Sequence, residues 1–449
     1  MRRRLSSLAT LVVAVIVGCS TPPSVPPQAS STSAPITTTP TAATVPTPAA
    51  TADRVTGWRE DLERLVPGMA AIHPDLTHGT SMAALDGAVS ALVGSIESAT
   101  DDELMVGLLR IVAMVSAAGC DAHTGAFIWG TGRYPVDSLP LRLWLFPTEL
   151  VDALVVVDAL PPYEDLIGST IGTIEDDQEL QVRRQLASVI PRDNDWTFRL
   201  LAPRYVLIPQ VLRGLGIADD GPVSLGLTTS GGSSRTVDVQ PIPMAEYNAW
   251  AGPYGLHLPE DPDVLYLSDL DDALWWRLLP DAVTLYVQYN RVESLATAIV
   301  ADLRSAAESP DIERVVLDVR HNFGGEVSAL DPIVSLFSSP ALDRPNGLFL
   351  IEGRNTFSAG SLLVARLDRT AAVIVGEPMG GCPTLYGDAQ ELLLPFSGID
   401  VSVASELSVG VRADDRRKTI EPDVFATLSL ENWLDGRDPS LEAIVLAAP

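Results

Sequence analysis

Ser358 stands where one apolar run, Leu348-Phe349-Leu350-Ile351, gives way to another, Leu362-Leu363-Val364-Ala365, whose residues continue at helical spacing. A serine at such a strand-to-helix handover faces the unpaired N–H groups and the positive dipole end of the helix that follows. Upstream, Asp318-Val319-Arg320-His321-Asn322-Phe323-Gly324-Gly325 closes a third apolar run, Val315-Val316-Leu317, whose branching suits a buried strand. Its paired glycines, Gly324 and Gly325, let backbone N–H groups turn toward a bound oxygen without side-chain obstruction. The chemistry these two segments could do together is attack by a serine hydroxyl beside an oxyanion hole.

A serine hydroxyl is a weak nucleophile until a base takes its proton, so the choice of base matters next. The chain has one lysine, Lys418, and five histidines: His73, His78, His123, His257 and His321. His73 and His78 bracket Pro74-Asp75-Leu76-Thr77 without the further ligands a metal site needs, which makes them solvated or locally bonded side chains. His257 lies in a polar, proline-rich loop, and Lys418 belongs to the charged run Asp414-Asp415-Arg416-Arg417-Lys418, which reads as a solvated face. His321, beside the Gly-Gly turn, is a rival base. His123 is the leading candidate, because Gly119-Cys120-Asp121-Ala122-His123-Thr124-Gly125 breaks a helical region with small residues that let an imidazole reach a cleft.

The elements that must position these groups divide the chain. At 449 residues it is too long for one compact core. Met1-Arg2-Arg3-Arg4, an apolar stretch from Leu8 to Val17 and then Gly18-Cys19 have the layout of a bacterial lipoprotein export signal (residues 1–19), with Cys19 as lipid acceptor. Residues 20–52 carry no charge and consist largely of Ser, Thr, Pro and Ala, the composition of a disordered stalk. Residues 53–139 show helical periodicity and carry His123. Residues 140–243 contain short β-like runs, interrupted by a stretch near Asn194–Gly216 with no clear assignment. From 244 to 449, strand and helix signals alternate as in a largely parallel α/β sheet, with a hairpin at Leu392–Val403 expected on its edge. The net charge of −28 argues against nucleic acid as a partner. The mature protein is expected outside the cytoplasm, held to the membrane by lipid alone. Of the cysteines, Cys120 and Cys382 remain after Cys19, and by themselves they read equally as a disulfide or as two buried thiols.

Five segments, taken in order, resemble the tail-specific (C-terminal-processing) serine peptidases, in the branch with the tricorn core and the interphotoreceptor retinoid-binding protein repeats. They are Asp121-Ala122-His123-Thr124, Asp318-x-Arg320-x-Asn322-x-Gly324-Gly325, Thr356-Phe357-Ser358-Ala359, Gly376-Glu377-Pro378-Met379-Gly380-Gly381 and Ile420-Glu421-Pro422-Asp423. The resemblance covers the chain from Asp53 onward. It implies an α/β, crotonase- and Clp-protease-like catalytic core, a helical N-terminal region and a divergent PDZ-like β-rich module at 140–243. It further implies peptide-bond hydrolysis through an acyl-enzyme on a peptide or protein substrate, with no metal and no organic cofactor. Ser358 would be the nucleophile, His123 the base, and the N–H groups of Ala359, Gly324 and Gly325 the oxyanion donors.

The chain also departs from the pattern. The lysine of the serine–lysine group would fall at or next to Cys382; the serine before the histidine is Ala122; and the glutamate before the Pro-Asp motif is Arg416. Asp414, Asp415 and Glu421, with Glu377 besides, are the candidates for the acid that orients His123. Cys120, three residues before the base, and Cys382, in the glycine-rich turn, would both lie at the cleft rim, and a Cys120–Cys382 disulfide is expected, with Cys382 as a buried filler the alternative. The competing functions are a non-catalytic ligand- or peptide-binding lipoprotein that keeps the fold, and an esterase using the same residues.

Overall fold

Leu62, Leu65, Val66 and Met69 share one face at helical spacing, and they are the buried face of α1 (Thr51–Ile72). The computed structural model describes residues 51–129, 134–252 and 256–446, so Cys19, the signal segment and residues 20–50 of the stalk lie outside the described residues. α2 (Met82–Ser95) and α3 (Asp101–Ala113) follow, and α3 opens on a capping box in which Thr100 and Glu103 satisfy each other's backbone N–H groups. The apolar spacing ends at Gly119 (φ 78°), where the chain turns into the loop that carries His123.

The β-rich region is an antiparallel sheet of β1 (Leu141–Phe146), β2 (Ala153–Ala159), β3 (Thr170–Ile174), β4 (Val223–Thr228) and β5 (Ser234–Val239), paired in that order. α4 (Glu179–Leu186) lies between β3 and β4, as does the stretch that sequence periodicity left unassigned. That stretch forms two helices, α5 (Asp195–Val206) and α6 (Pro209–Gly214). Every residue from Leu200 to Val206 is buried, including Arg204, so α5 has no polar stripe to reveal it. Its start was marked by capping chemistry: the Asn194 carboxamide accepts from the N–H groups of Trp196 and Thr197. α7 (Met244–Ala251) leads out of this region.

The α/β core carries β6 (Leu274–Leu278), β7 (Thr284–Tyr289), β8 (Arg314–Asp318), β9 (Leu348–Glu352) and β10 (Val373–Gly376), joined through α8 (Thr297–Ala307), α9 (Leu330–Phe337) and α10 (Ala359–Leu367). β7 to β10 pair in parallel, β6 is an antiparallel edge, and the short β13 (Val424–Phe425) adds to the other edge. Leu317, Leu350 and Leu362 pack on one side of this sheet, while Val316, Ile351 and Ile444 pack on the other.

The hairpin is longer than its apolar signal and lies elsewhere than expected. β11 (Thr384–Leu393) and β12 (Asp400–Val409) form their own two-stranded sheet rather than extending the edge of the parallel one. Its tip leans on α1, where the buried Asp61 carboxylate accepts from the N–H groups of Phe396 (3.1 Å) and Ser397 (2.7 Å). Val401 and Val403 join the apolar cluster that also holds residues of α1 to α3 and of the antiparallel sheet. Contact with the helices decides the hairpin's position, and hydropathy along the strands carries no record of it.

Two ties connect the helical region and the ends of the strands to the core. Cys120 and Cys382 are disulfide-bonded, with Cα atoms 5.4 Å apart and a sequence separation of 262 positions. At the end of β8, Arg320 forms a paired contact to Asp438 (3.0 and 2.8 Å) and also holds Asp318, which accepts from the Tyr286 hydroxyl (2.7 Å). Arg320→Leu leaves Asp318, a fully buried carboxylate, without its counter-charge, and is expected to lower unfolding free energy by about 3–5 kcal/mol in urea titration. Cys382→Ser is expected to lower it by about 2–5 kcal/mol, and the intact wild-type protein should weigh two hydrogens less than its reduced form by mass spectrometry.

Candidate active site

Ser358 occupies the turn between β9 and α10 with φ 52° and ψ −127°, a region that non-glycine residues seldom enter. It stands at the N-cap of α10, yet its side chain makes no capping hydrogen bond. The strained backbone instead directs Oγ away from the helix, and the atom it meets is His123 Nε2 at 3.0 Å, across 235 residues of sequence. The His123 ring stacks on Phe357, with centroids 4.6 Å apart.

The neighbouring motif segments build this turn. Asn322 donates to Tyr289 O (2.8 Å), and its backbone carbonyl accepts from Phe357 N–H (2.9 Å), locking the Gly-Gly turn to the nucleophile loop. A Cβ on Gly324 would fall 2.6 Å from Ser358 Cβ and 2.8 Å from Ala359 N, so only glycine admits this approach. The glycine-rich turn after β10 packs as closely, since a Cβ on Gly381 would lie 2.0 Å from Ser361 Oγ. Gly324 itself is not an oxyanion donor as expected: its N–H is committed to Asn322 Oδ1 at 2.9 Å. Ala359 N–H lies at the first position of α10, where no intrahelical acceptor reaches it, and Gly325 lines a cavity together with Ser358.

His123 is placed by groups that sequence reasoning did not single out. Gly125 pairs with Ser402 of β12 in both directions at 2.9 Å, Ser402 Oγ donates to His123 O (2.8 Å), and Ala404 N–H donates to Thr124 Oγ1 (3.1 Å). Asp193, buried, accepts from Ala122 N–H (2.6 Å) and Cys382 N–H (3.1 Å), while its carbonyl accepts from Cys120 N–H (3.0 Å). Burial pushes the Asp193 carboxyl up to about 7 against the pull of those two N–H groups. Its polar run with Asn194 and Asp195 signals only a helix cap, so nothing local marks it as a clamp on a loop seventy-one positions away.

The orienting acid is a correction. Asp414 is paired with Arg412 (2.8 and 2.6 Å), Asp415 with Arg417 (2.8 Å) and Glu377 with Arg354 (2.6 and 2.8 Å), while Glu421 is exposed and makes no hydrogen bond to His123. His123 Nδ1 is enclosed by protein and lacks a hydrogen-bond partner, although the backbone of Tyr386 faces it. Burial lowers the His123 pKa to about 4, opposed chiefly by the charge of Asp121. Asp121 is held ionised: hydrogen bonds from His73 Nε2 (3.1 Å), His78 Nε2 (2.9 Å) and Thr124 N–H (3.3 Å) outweigh its burial and keep its pKa below the usual carboxylate value.

The donor atoms of His73, His78 and Asp121 converge within 4.8 Å, a spacing that could suit a metal ion. However, Asp75 N–H donates to His73 Nδ1 at 3.0 Å, which leaves the ring proton on Nε2. The His73 nitrogen aimed at Asp121 is then a donor rather than a lone pair for a metal, and both rings are hydrogen-bonded to Asp121. The other bases lie elsewhere. Both nitrogens of His321 are buried without partners, its ring stacks against Tyr266, and it lines a cavity with His257 and Arg142 rather than with Ser358. Lys418 is not merely solvated: it donates to Ala118 O and sits 3.6 Å from Cys120 Sγ, beside the disulfide.

Ser358 and His123 together line two cavities. One, about 330 Å³, is walled by aromatic and aliphatic side chains; the other, about 750 Å³, includes Glu326, Asp388 and Glu406. No family profile and no curated protein matches the sequence. Solved structures do. The structure of mature CPAF complexed with lactacystin matches at 12% identity and TM-score 0.58, over 87% of this chain and 97% of that one. A mutant of CPAF matches at 11% identity and TM-score 0.60, over 87% and 96%. The photosystem II D1 C-terminal processing protease is similar at 16% identity, but with a TM-score of 0.37, over 84% and 93%. The arrangement of helices, antiparallel sheet and α/β core is the fold seen in the CPAF structures.

Proposed function

We propose that this chain is a serine peptidase that cleaves polypeptides through an acyl-enzyme and works outside the cytoplasm, tethered by lipid on Cys19. The observation that carries the reading is the 3.0 Å contact between His123 Nε2 and Ser358 Oγ, at residues that line two cavities at once. Such a pair of cavities suits a chain that continues on both sides of the bond to be cut. The tether rests on Arg2 to Arg4, the apolar Leu8–Val17 and Cys19, and no helix among the described residues is long and apolar enough to cross a membrane.

In this mechanism His123 takes the Ser358 proton as Oγ attacks the carbonyl carbon. The oxyanion that forms is stabilised by Ala359 N–H and Gly325 N–H, with the N-terminal end of α10 adding a favourable field. His123 then returns the proton to the leaving amine, and water releases the acyl group by the same route in reverse. Asp121 makes no contact with His123, so it supports the imidazolium through space rather than by the hydrogen bond of a triad. Burial pushes Asp193 up to about 7, but its oxygens accept the backbone N–H groups of Ala122 and Cys382 in either protonation state, so it clamps the base loop instead of competing for the proton.

The unpartnered His123 Nδ1 favours one alternative, a binding protein that keeps the fold without turnover. A fluorophosphonate probe separates the two. Wild-type protein is expected to be labelled on Ser358 and to hydrolyse peptides, while Ser358→Ala abolishes labelling and lowers turnover by roughly a million-fold; an unlabelled, inactive wild type establishes the binder. The low pKa of His123 sets the acid limb. Below about pH 4 the imidazolium cannot accept the serine proton, so kcat/KM is expected to fall there and to be flat from pH 5.5 to 7. A limb centred near the ordinary histidine value of 6.5 in a pH series would show that the site is wetter than this structure.

A further inference from the structure

The smaller cavity beside Ser358 differs from its neighbour in kind. Phe127 and Trp129 come from the base loop, Leu200 and Leu201 from α5, and Phe323 and Phe357 from the two motif loops, so four separate parts of the chain converge on one apolar space. Leu200 and Leu201 belong to the main apolar cluster, which makes the walls preformed rather than shaped on binding. His123 is the one titratable residue lining it among the described residues, and it is held neutral. The larger cavity carries three carboxylates.

We infer that this cavity is a side-chain pocket that makes the enzyme select substrates with a large apolar or aromatic residue directly flanking the scissile bond. The inference rests on the peptidase reading and adds the substrate class. Size supports it: about 330 Å³ is roughly twice the volume of a cavity of about 150 Å³ that accepts benzene. Position supports it too, because Ser358 and His123 form part of the wall, so whatever fills the pocket belongs to a residue next to the attacked carbonyl. A lysine, arginine, aspartate or glutamate entering here would lose its water and find no counter-charge, and is rejected. Small side chains leave the apolar walls unfilled, and each missing methylene lowers kcat/KM by about 10- to 200-fold.

The test is cleavage-site profiling of the full chain on an unbiased peptide library, read at both positions flanking each cut. One flanking position is expected to favour Phe, Tyr, Trp, Leu and Met over Ala and Gly by about 100-fold or more, and to exclude charged residues. Leu201→Trp, which fills the pocket, should lower the Phe-to-Ala cleavage ratio at least 10-fold, and Leu200→Ala, which widens it, should raise the preference for Trp. These are ratios within one protein preparation, so a loss of total activity does not mimic them, and if a variant fails to fold the wild-type profile decides. Labelling of Ser358 with equal cleavage beside small, charged and aromatic residues overturns this inference alone. Absence of both labelling and cleavage overturns the peptidase reading and the inference with it.

Discussion

Everything at this site depends on one seam. His123 hangs from a loop flanked by Ala126 and Ile128 of one apolar cluster, whereas Ser358 precedes Ala359 and Leu362 of another. A hydrogen bond of 3.0 Å between them demands that the two clusters keep register to within a fraction of an ångström. Two links hold that register between the clusters, the covalent bond between Cys120 and Cys382 and the buried Asp193 carboxylate bridging Ala122 and Cys382, and a third, the backbone pairing of Gly125 with Ser402, seats the base loop on β12. All three act within a few residues of His123, which concentrates rigidity where the base must not drift.

The same packing that fixes the base weakens it. Enclosure by protein removes the water that would stabilise an imidazolium, and the Tyr386 backbone facing the ring does not make up for it, so the proton affinity of the ring falls. In return the ring is neutral across the physiological range and free to accept the serine proton. Asp121 moderates the loss without touching the ring, and it stays charged because His73 and His78 donate to it from the helical region. Helices remote from Ser358 in sequence thus contribute to the electrostatics of the site through a carboxylate two residues from the base.

The motif around Gly324 and Gly325 illustrates how one conserved-looking string divides its labour. Asp318 and Arg320 tie the end of β8 to Asp438, Asn322 joins the nucleophile loop, and Gly325 lines a cavity together with Ser358. The chain turns at Arg320 and His321 instead of running on as a strand, so a single short segment serves a structural network at one end and the cavity at the other.

Much of this was readable from residues alone. Hydrophobic periodicity placed α1 to α3 and the strands from β7 to β10, and the strand-to-helix position of Ser358 follows from apolar runs on either side of it, because local patterning dictates which residues a sheet or helix buries. Elements whose partners are distant were not readable. α5, whose residues from Leu200 to Val206 are all buried, shows no amphipathic stripe there, and the hairpin of β11 and β12 took its place from contact with α1 rather than from its own hydropathy. The sequence by itself pointed to the candidate nucleophile, the candidate base and the glycines that let them approach, since those depend on residue type and short-range geometry. Only the tertiary structure decided which carboxylates reach the base, that Gly324 N–H is already spent on Asn322, and that an apolar pocket opens beside Ser358, because each is a relation among side chains brought together by packing and carries no signature in any one stretch of chain.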